Sequence, residues 1–194
     1  MWSRFILAVL LLGCTTTAGA AQSLSLRVDP ARSTLSYTGS SVLHSWTGTS
    51  DQPTGTLTFD PVDPSTAAIT IAAPVASFDS GNGRRDRKMR DVTEVERFPA
   101  VTVAMRSVRV ERWEEEQGRR RGRWRLRGDL TLHGVTRPVE VMADVSLSNG
   151  VLTAEGSFPV SLTAHQVGRP RLVGIPIGDE ITVRFAITAH PVGS

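Results

Sequence analysis

Four histidines and one cysteine are the side chains of this 194-residue chain best suited to ligate a metal or attack a substrate. His44, His133, His165 and His190 stand far apart. None is followed within two to four residues by another histidine, a carboxylate or a cysteine, as a metal site on one turn or strand requires. There is no Gly-x-Ser-x-Gly elbow, no glycine-rich phosphate loop and no nucleophilic cysteine, since Cys14 lies in the leader-like N-terminus. The 19 carboxylates are scattered, and no pair stands in a context that argues for general acid–base work. The chain therefore reads as a non-enzyme with no catalytic residues, no metal and no cofactor.

Apolar side chains at strand spacing remain, and their chemistry is burial of hydrocarbon. Trp124, Leu126, Gly128, Leu130 and Leu132 alternate with Arg123, Arg125, Arg127, Asp129 and Thr131. This is the period of a strand with one apolar face and one wet face. A break at His133-Gly134-Val135-Thr136 follows, with Gly134 able to take a positive φ. Alternation resumes through Val139, Val141, Ala143, Val145 and Leu147, so the two runs form an antiparallel hairpin.

Similar rows along the chain supply the inward candidates for a ligand-lining wall. They are Leu35, Tyr37, Leu57, Phe59, Ile69, Ile71, Val101, Val103, Met105, Trp124, Leu126, Leu130, Val183 and Phe185. Each could equally be plain core, because alternation does not separate a filled barrel from a hollow one. An eight-stranded barrel is about wide enough either to fill itself or to hold one slender ligand.

Most of the elements that must position this wall are strands. Leu24–Val28 starts the set, Asp29-Pro30 turns it, and Leu35 and Tyr37 lie in a strand reaching Gly39. Val42–Thr49, Gly55–Phe59, Ala67–Ala72, Val101–Val110, Val151–Val160 and Glu180–Thr188 follow. The exception is GRRDRKMRDVTEVERF, Gly83 to Phe98, whose charge density favours a short helix with a further turn near Thr93–Arg97. Phe98-Pro99 closes it, since the residue before proline avoids the α region. Met89 and Val92 would anchor this polar helix against the barrel. Folding about Gln117-Gly118 brings Glu116, Glu115 and Glu114 opposite Arg119, Arg120 and Arg121, a cross-strand charge ladder. The fold class expected is all-β: an antiparallel barrel of eight strands with one short helix packed beside it, which removes exposed sheet edges.

Residues 1–20 read as a signal peptide, with Arg4 ahead of the apolar run Phe5–Leu12 and Ala18-Gly19-Ala20 as a cleavage pattern; the barrel domain spans 22–191. Leu11-Leu12-Gly13-Cys14 also resembles a lipobox, so Cys14 is a candidate lipidation site. The expected location is the periplasm or outside the cell, or alternatively a membrane reached only through that lipid anchor. No disulfide can form with a single cysteine. Lys88 is the only lysine among 22 basic residues and the net charge is only +3. Without an aromatic-interleaved basic stripe, nucleic acid is not an expected partner.

The run Gly128-Asp129-Leu130-Thr131-Leu132-His133-Gly134-Val135-Thr136-Arg137-Pro138-Val139 resembles the hallmark of the YceI-like family of exported lipocalin-like barrels. Val28-Asp29-Pro30 with Ser33, Gly55–Pro61, Arg85–Met89, Phe98-Pro99-Ala100-Val101 and Gly178-Asp179-Glu180-Ile181 are similar to further family segments in the same order. The resemblance implies a barrel holding a long apolar molecule such as a polyisoprenoid or a fatty-acid-like lipid, with no catalysis. The chain departs from the commoner family pattern after Val160, at Leu162 to Gly174, a segment that could frame a cavity mouth. A filled barrel acting through its surface, or an accessory to a quinone-using membrane protein, are the alternative readings.

Overall fold

Alternating apolar rows become the inner face of a closed wall in the computed structural model, which describes residues 23–42, 44–172 and 175–193. The segment read as an export leader, Cys14 included, lies outside the described residues. In chain order the strands are β1 Leu24–Val28, β2 Thr34–Ser40, β3 Ser45–Ser50, β4 Thr54–Phe59 and β5 Ala68–Pro74. Helix α1, Gly83–Val92, follows. Then come β6 Ala100–Glu116, β7 Arg119–Leu132, β8 Val135–Ser148, β9 Val151–Ser161, β10 Arg171–Leu172, β11 Ile175–Pro176 and β12 Glu180–Pro191.

Strands β1, β4, β5, β6, β7, β8, β9 and β12 pair antiparallel in that order, and β12 returns to β1 to close the barrel. β12 is shared: its second half pairs with β1 and its first half with β2. β2 is thus the continuation of β1 beyond a one-turn kink at Pro30–Arg32, where Asp29 caps the turn. β3 likewise runs on into β4, and the β2–β3 hairpin extends the wall at one end. The expected strand over Val42–Thr49 begins only at Ser45, so His44 belongs to the preceding turn.

Three hairpins turn on a two-residue X-Gly pair with both residues at positive φ: Gln117-Gly118, His133-Gly134 and Asn149-Gly150. Such mirror-image turns match the right-handed twist of the flanking strands. The charge ladder has the expected register, with Glu116, Glu115 and Glu114 opposite Arg119, Arg120 and Arg121. β6 carries register shifts between Met105 and Ser107 and between Val110 and Arg112. Gly128 and Gly122 of β7 lie opposite them, where an added Cβ would strike the Ala104 and Arg112 carbonyls.

One end of the barrel is solid. Leu26, Phe59, Trp124 and Leu152 are almost entirely buried there. The Phe59 ring meets Trp124 nearly edge-on at 5.6 Å, and Trp113 lies against Trp124 at 5.2 Å. Trp113 Nε1 donates to the Pro61 carbonyl at 3.0 Å, drawing the β4–β5 loop across this end.

Candidate functional site

At the opposite end the wall rises around a cavity of about 640 Å³, with α1 across its mouth. Two ties place the helix. Thr49 and Asp79 exchange backbone hydrogen bonds at 2.8 and 3.0 Å, and the buried Ser50 hydroxyl meets that of Ser77 at 2.6 Å. Asn82 caps α1 by accepting from the Arg84 and Arg85 amides, satisfying donors the first turn leaves free. Asp86 is buried and accepts from the Ser80 amide and hydroxyl at 3.1 and 2.6 Å. Met89 and Val92, the expected anchors, face the cavity and roof it.

The β9–β12 connection forms the other side of the mouth. Asp179 accepts from the Thr163 amide at 2.9 Å and from the Ser161 hydroxyl at 2.6 Å. These bonds, the Ser161 hydroxyl first, hold its carboxyl below the usual aspartate range. Val167, Gly168, Pro170 and Ile177 of this connection line the cavity. Asp179→Ala is therefore expected to loosen this side at a cost of about 1 kcal/mol, the scale of a lost cap. Because the pKa is depressed, the stabilisation is full above the unfolded-state value and fades as pH falls through the folded one. Acid titration of the variant, followed by circular dichroism, should lack that component below about pH 4.

The turn at His133-Gly134 clasps the same rim. His133 Nδ1 donates to the His165 carbonyl at 3.2 Å, and His165 Nδ1 donates to the Val135 carbonyl at 3.0 Å. Carbonyls only accept, so Nδ1 of each imidazole bears a proton. His133 Nε2 faces Glu94 Oε1 at 3.2 Å, and the ring meets Phe98 edge-on at 4.9 Å. Both imidazoles therefore sit at the rim, one in the turn and one in the connection it clasps. His165, however, is buried at 3% exposure, and this pairing across 32 residues has no local signal. Among the described residues no group of three His, Cys, Asp or Glu is placed to hold a metal ion.

Thirteen of the fourteen inward candidates border the cavity. They are Leu35 and Tyr37 of β2, Leu57 of β4, Ile69 and Ile71 of β5, and Val101, Val103 and Met105 of β6. Trp124, Leu126 and Leu130 of β7 and Val183 and Phe185 of β12 complete the set. Phe59 is the correction: it packs behind Trp124 in the solid end and does not reach the cavity wall. Sequence reasoning missed Trp46, Phe158 and Val160, and it left Ile181, in the row of Val183 and Phe185, and the row Val141, Ala143 and Val145 unassigned to the wall. The alternation of β8 carried that signal. The cavity-facing Arg84, Arg85 and Lys88 of α1 carried none, because a polar helix does not state which face it turns inward.

A family description, "YceI-like domain", matches residues 26–189, which is nearly all of the described barrel. The chain belongs to the YceI-like family. Protein YceI of Salmonella newport is 30% identical over 142 residues, covering 72% of this chain and 69% of that one. For several other curated relatives the match spans 49% of their length. BcnA of Burkholderia cenocepacia superposes with a TM-score of 0.70 at 21% identity, over 83% of this chain and 98% of that one. A polyisoprenoid-binding domain from Saccharophagus degradans gives 0.69 at 15% identity, over 87% and 99%. At these identities the two structures speak for the fold.

Within this YceI-like domain the hallmark run Gly128–Val139 is structural. It supplies the inner-wall Leu130 and Leu132 and then the turn that clasps the β9–β12 connection. Leu162, Val167, Gly168 and Pro170, after Val160, border the cavity. Gly134 holds φ at +71°, and a Cβ there would lie 2.4 Å from the Phe98 ring. Gly134→Ala should cost about 1–3 kcal/mol from the left-handed backbone and the overlap together. Thermal melts check this, and an unchanged Tm would show that the Phe98 contact is dispensable.

Proposed function

We propose that this chain is an exported carrier that takes a long-chain apolar molecule, a polyisoprenoid or fatty-acid-like lipid, into its barrel and performs no catalysis. The apolar cavity of about 640 Å³ carries the reading. It falls within the roughly 300–1,000 Å³ typical of small-molecule sites. From the Leu132 rim to Trp124 is eight residues of β7, which a tilted strand converts to a depth of about 20 Å. That shape suits a slender chain more than a compact one.

Burial supplies the affinity. Each methylene removed from water is worth about 0.8 kcal/mol, and micromolar binding needs about 8 kcal/mol net. Some fifteen methylenes therefore leave a margin for the cost of association. A filled barrel acting only through its surface is hard to reconcile with this void. Export rests on the Phe5–Leu12 run, and a membrane anchor on Cys14. No helix among the described residues is long and apolar enough to cross a membrane.

The deciding experiment is mass spectrometry of lipids extracted from the purified protein, followed by titration of the delipidated protein with geranylgeraniol. An extracted lipid or saturable micromolar uptake supports the carrier. A clean extract together with no uptake overturns it.

A further inference from the structure

We propose that the guest of this barrel is anionic at one end, with Arg84, Arg85 and Lys88 of α1 holding its carboxylate or phosphate head at the cavity mouth. This rests on the carrier reading and adds the head-group class to it. The observation that carries it is the sign of the charges bordering the cavity. The chain has 22 basic and 19 acidic residues, yet Arg84, Arg85 and Lys88 border the cavity and no aspartate or glutamate does. All three stand on one helix at one end of an otherwise apolar wall.

Several arginines on the outer face are matched by carboxylates. Arg123 pairs with Asp144, Arg125 with Glu111 and Glu140, and Arg127 with Glu140 across the outer face of β6–β8. Among the described residues Arg84, Arg85 and Lys88 make no ion pair. Arg84 and Lys88 are a like-charged i,i+4 pair, which disfavours a helix by about 0.2–0.5 kcal/mol until an anion bridges it. The one carboxylate under the helix, Asp86, is engaged by Ser80 and does not border the cavity.

The polarity of α1 also follows that of an amphiphile. Its cavity-facing side is cationic through the first turns and apolar at Met89 and Val92. Arg85 lies 5.4 Å from the centre of the Trp46 ring, which holds the guanidinium at the mouth by cation–π attraction. Tyr37 borders the cavity nearby, and burial raises its phenol above the ordinary value, so it stays neutral and can donate. A charged head cannot descend to the Trp124 floor without losing its water. The orientation is therefore fixed, head under α1 and tail down the barrel.

Matched probes test this: geranylgeranyl phosphate against geranylgeraniol, and hexadecanoate against hexadecanol. Each is titrated into the delipidated full-length protein and into an Arg84→Gln, Arg85→Gln, Lys88→Gln variant. The intact protein should favour the anionic member by about tenfold or more, less so at high salt, and the variant should lose that preference while keeping its affinity for the alcohols. A preference in the phosphate pair alone assigns phosphate, and one in both pairs assigns either anion. Equal affinity within both pairs, or a preference that survives in the variant, overturns the head-group assignment and leaves the carrier intact. If none of the four probes binds, the head-group assignment falls, and the carrier falls with it when the lipid extract is also clean.

Discussion

Replacing Trp124 with alanine should destabilise the barrel by about 3–5 kcal/mol, the range for an aromatic lost from a core. Trp124 is 1% exposed, and Phe59 and Trp113 both pack on its ring. Removing the indole takes away the surface on which the solid end of the barrel is assembled. For a domain of this size the melting temperature should fall by roughly 6–20 °C. Phe59→Ala should be less than additive with it by about 0.5–1.5 kcal/mol, because both delete the same ring contact.

Trp124→Phe separates packing from hydrogen bonding. The buried Nε1 of Trp124 has no hydrogen-bond partner among the described residues. An unpaired buried donor costs about 1–3 kcal/mol, so phenylalanine removes a penalty along with part of the packing. It should cost less than half of what alanine does. A phenylalanine variant as unstable as the alanine one would mean that Nε1 is satisfied and that the ring contacts are not the main support.

The strands were legible because each has one wet face and one dry face. The charged residues between Trp124, Leu126 and Leu130 have nowhere to go but outward, so alternation alone placed Arg123, Arg125 and Arg127 on the surface. Alternation cannot report what lies on the dry side. Leu26 and Val103 look alike in sequence, yet Leu26 is fully buried in the solid end while Val103 is half-buried against the void. Phe59 was misplaced for the same reason. It points inward, as its alternation says, but at a level where Trp124 already fills the interior. The helix was legible as a helix from its charge and from Phe98-Pro99. Its position was not, because the Thr49–Asp79 bridge and the Ser50–Ser77 contact join residues 27 to 30 apart in sequence. The imidazole contacts of His133 and His165 were hidden by the same kind of separation.

Filling the void should abolish uptake without unfolding the protein, and Val103→Trp is the substitution to make. Val103, near the start of β6, stands between Ile71 of β5 and Leu130 of β7, and all three border the cavity. An indole there projects into empty space and need not displace packed neighbours. Stability should stay level or rise by up to about 2 kcal/mol, as in other cavity-filling changes. The guest loses more. Blocking some three or four methylenes of chain at about 0.8 kcal/mol each removes about 3 kcal/mol, or roughly a hundredfold in affinity for geranylgeraniol. Val62→Trp, on the exposed β4–β5 loop, adds the same side chain where it touches no part of the cavity and should leave uptake unchanged. Unaltered binding by a stable Val103→Trp protein would place the hydrocarbon outside the barrel. Since Val103 borders the cavity, a hundredfold loss confined to Val103→Trp ties the guest to the interior itself.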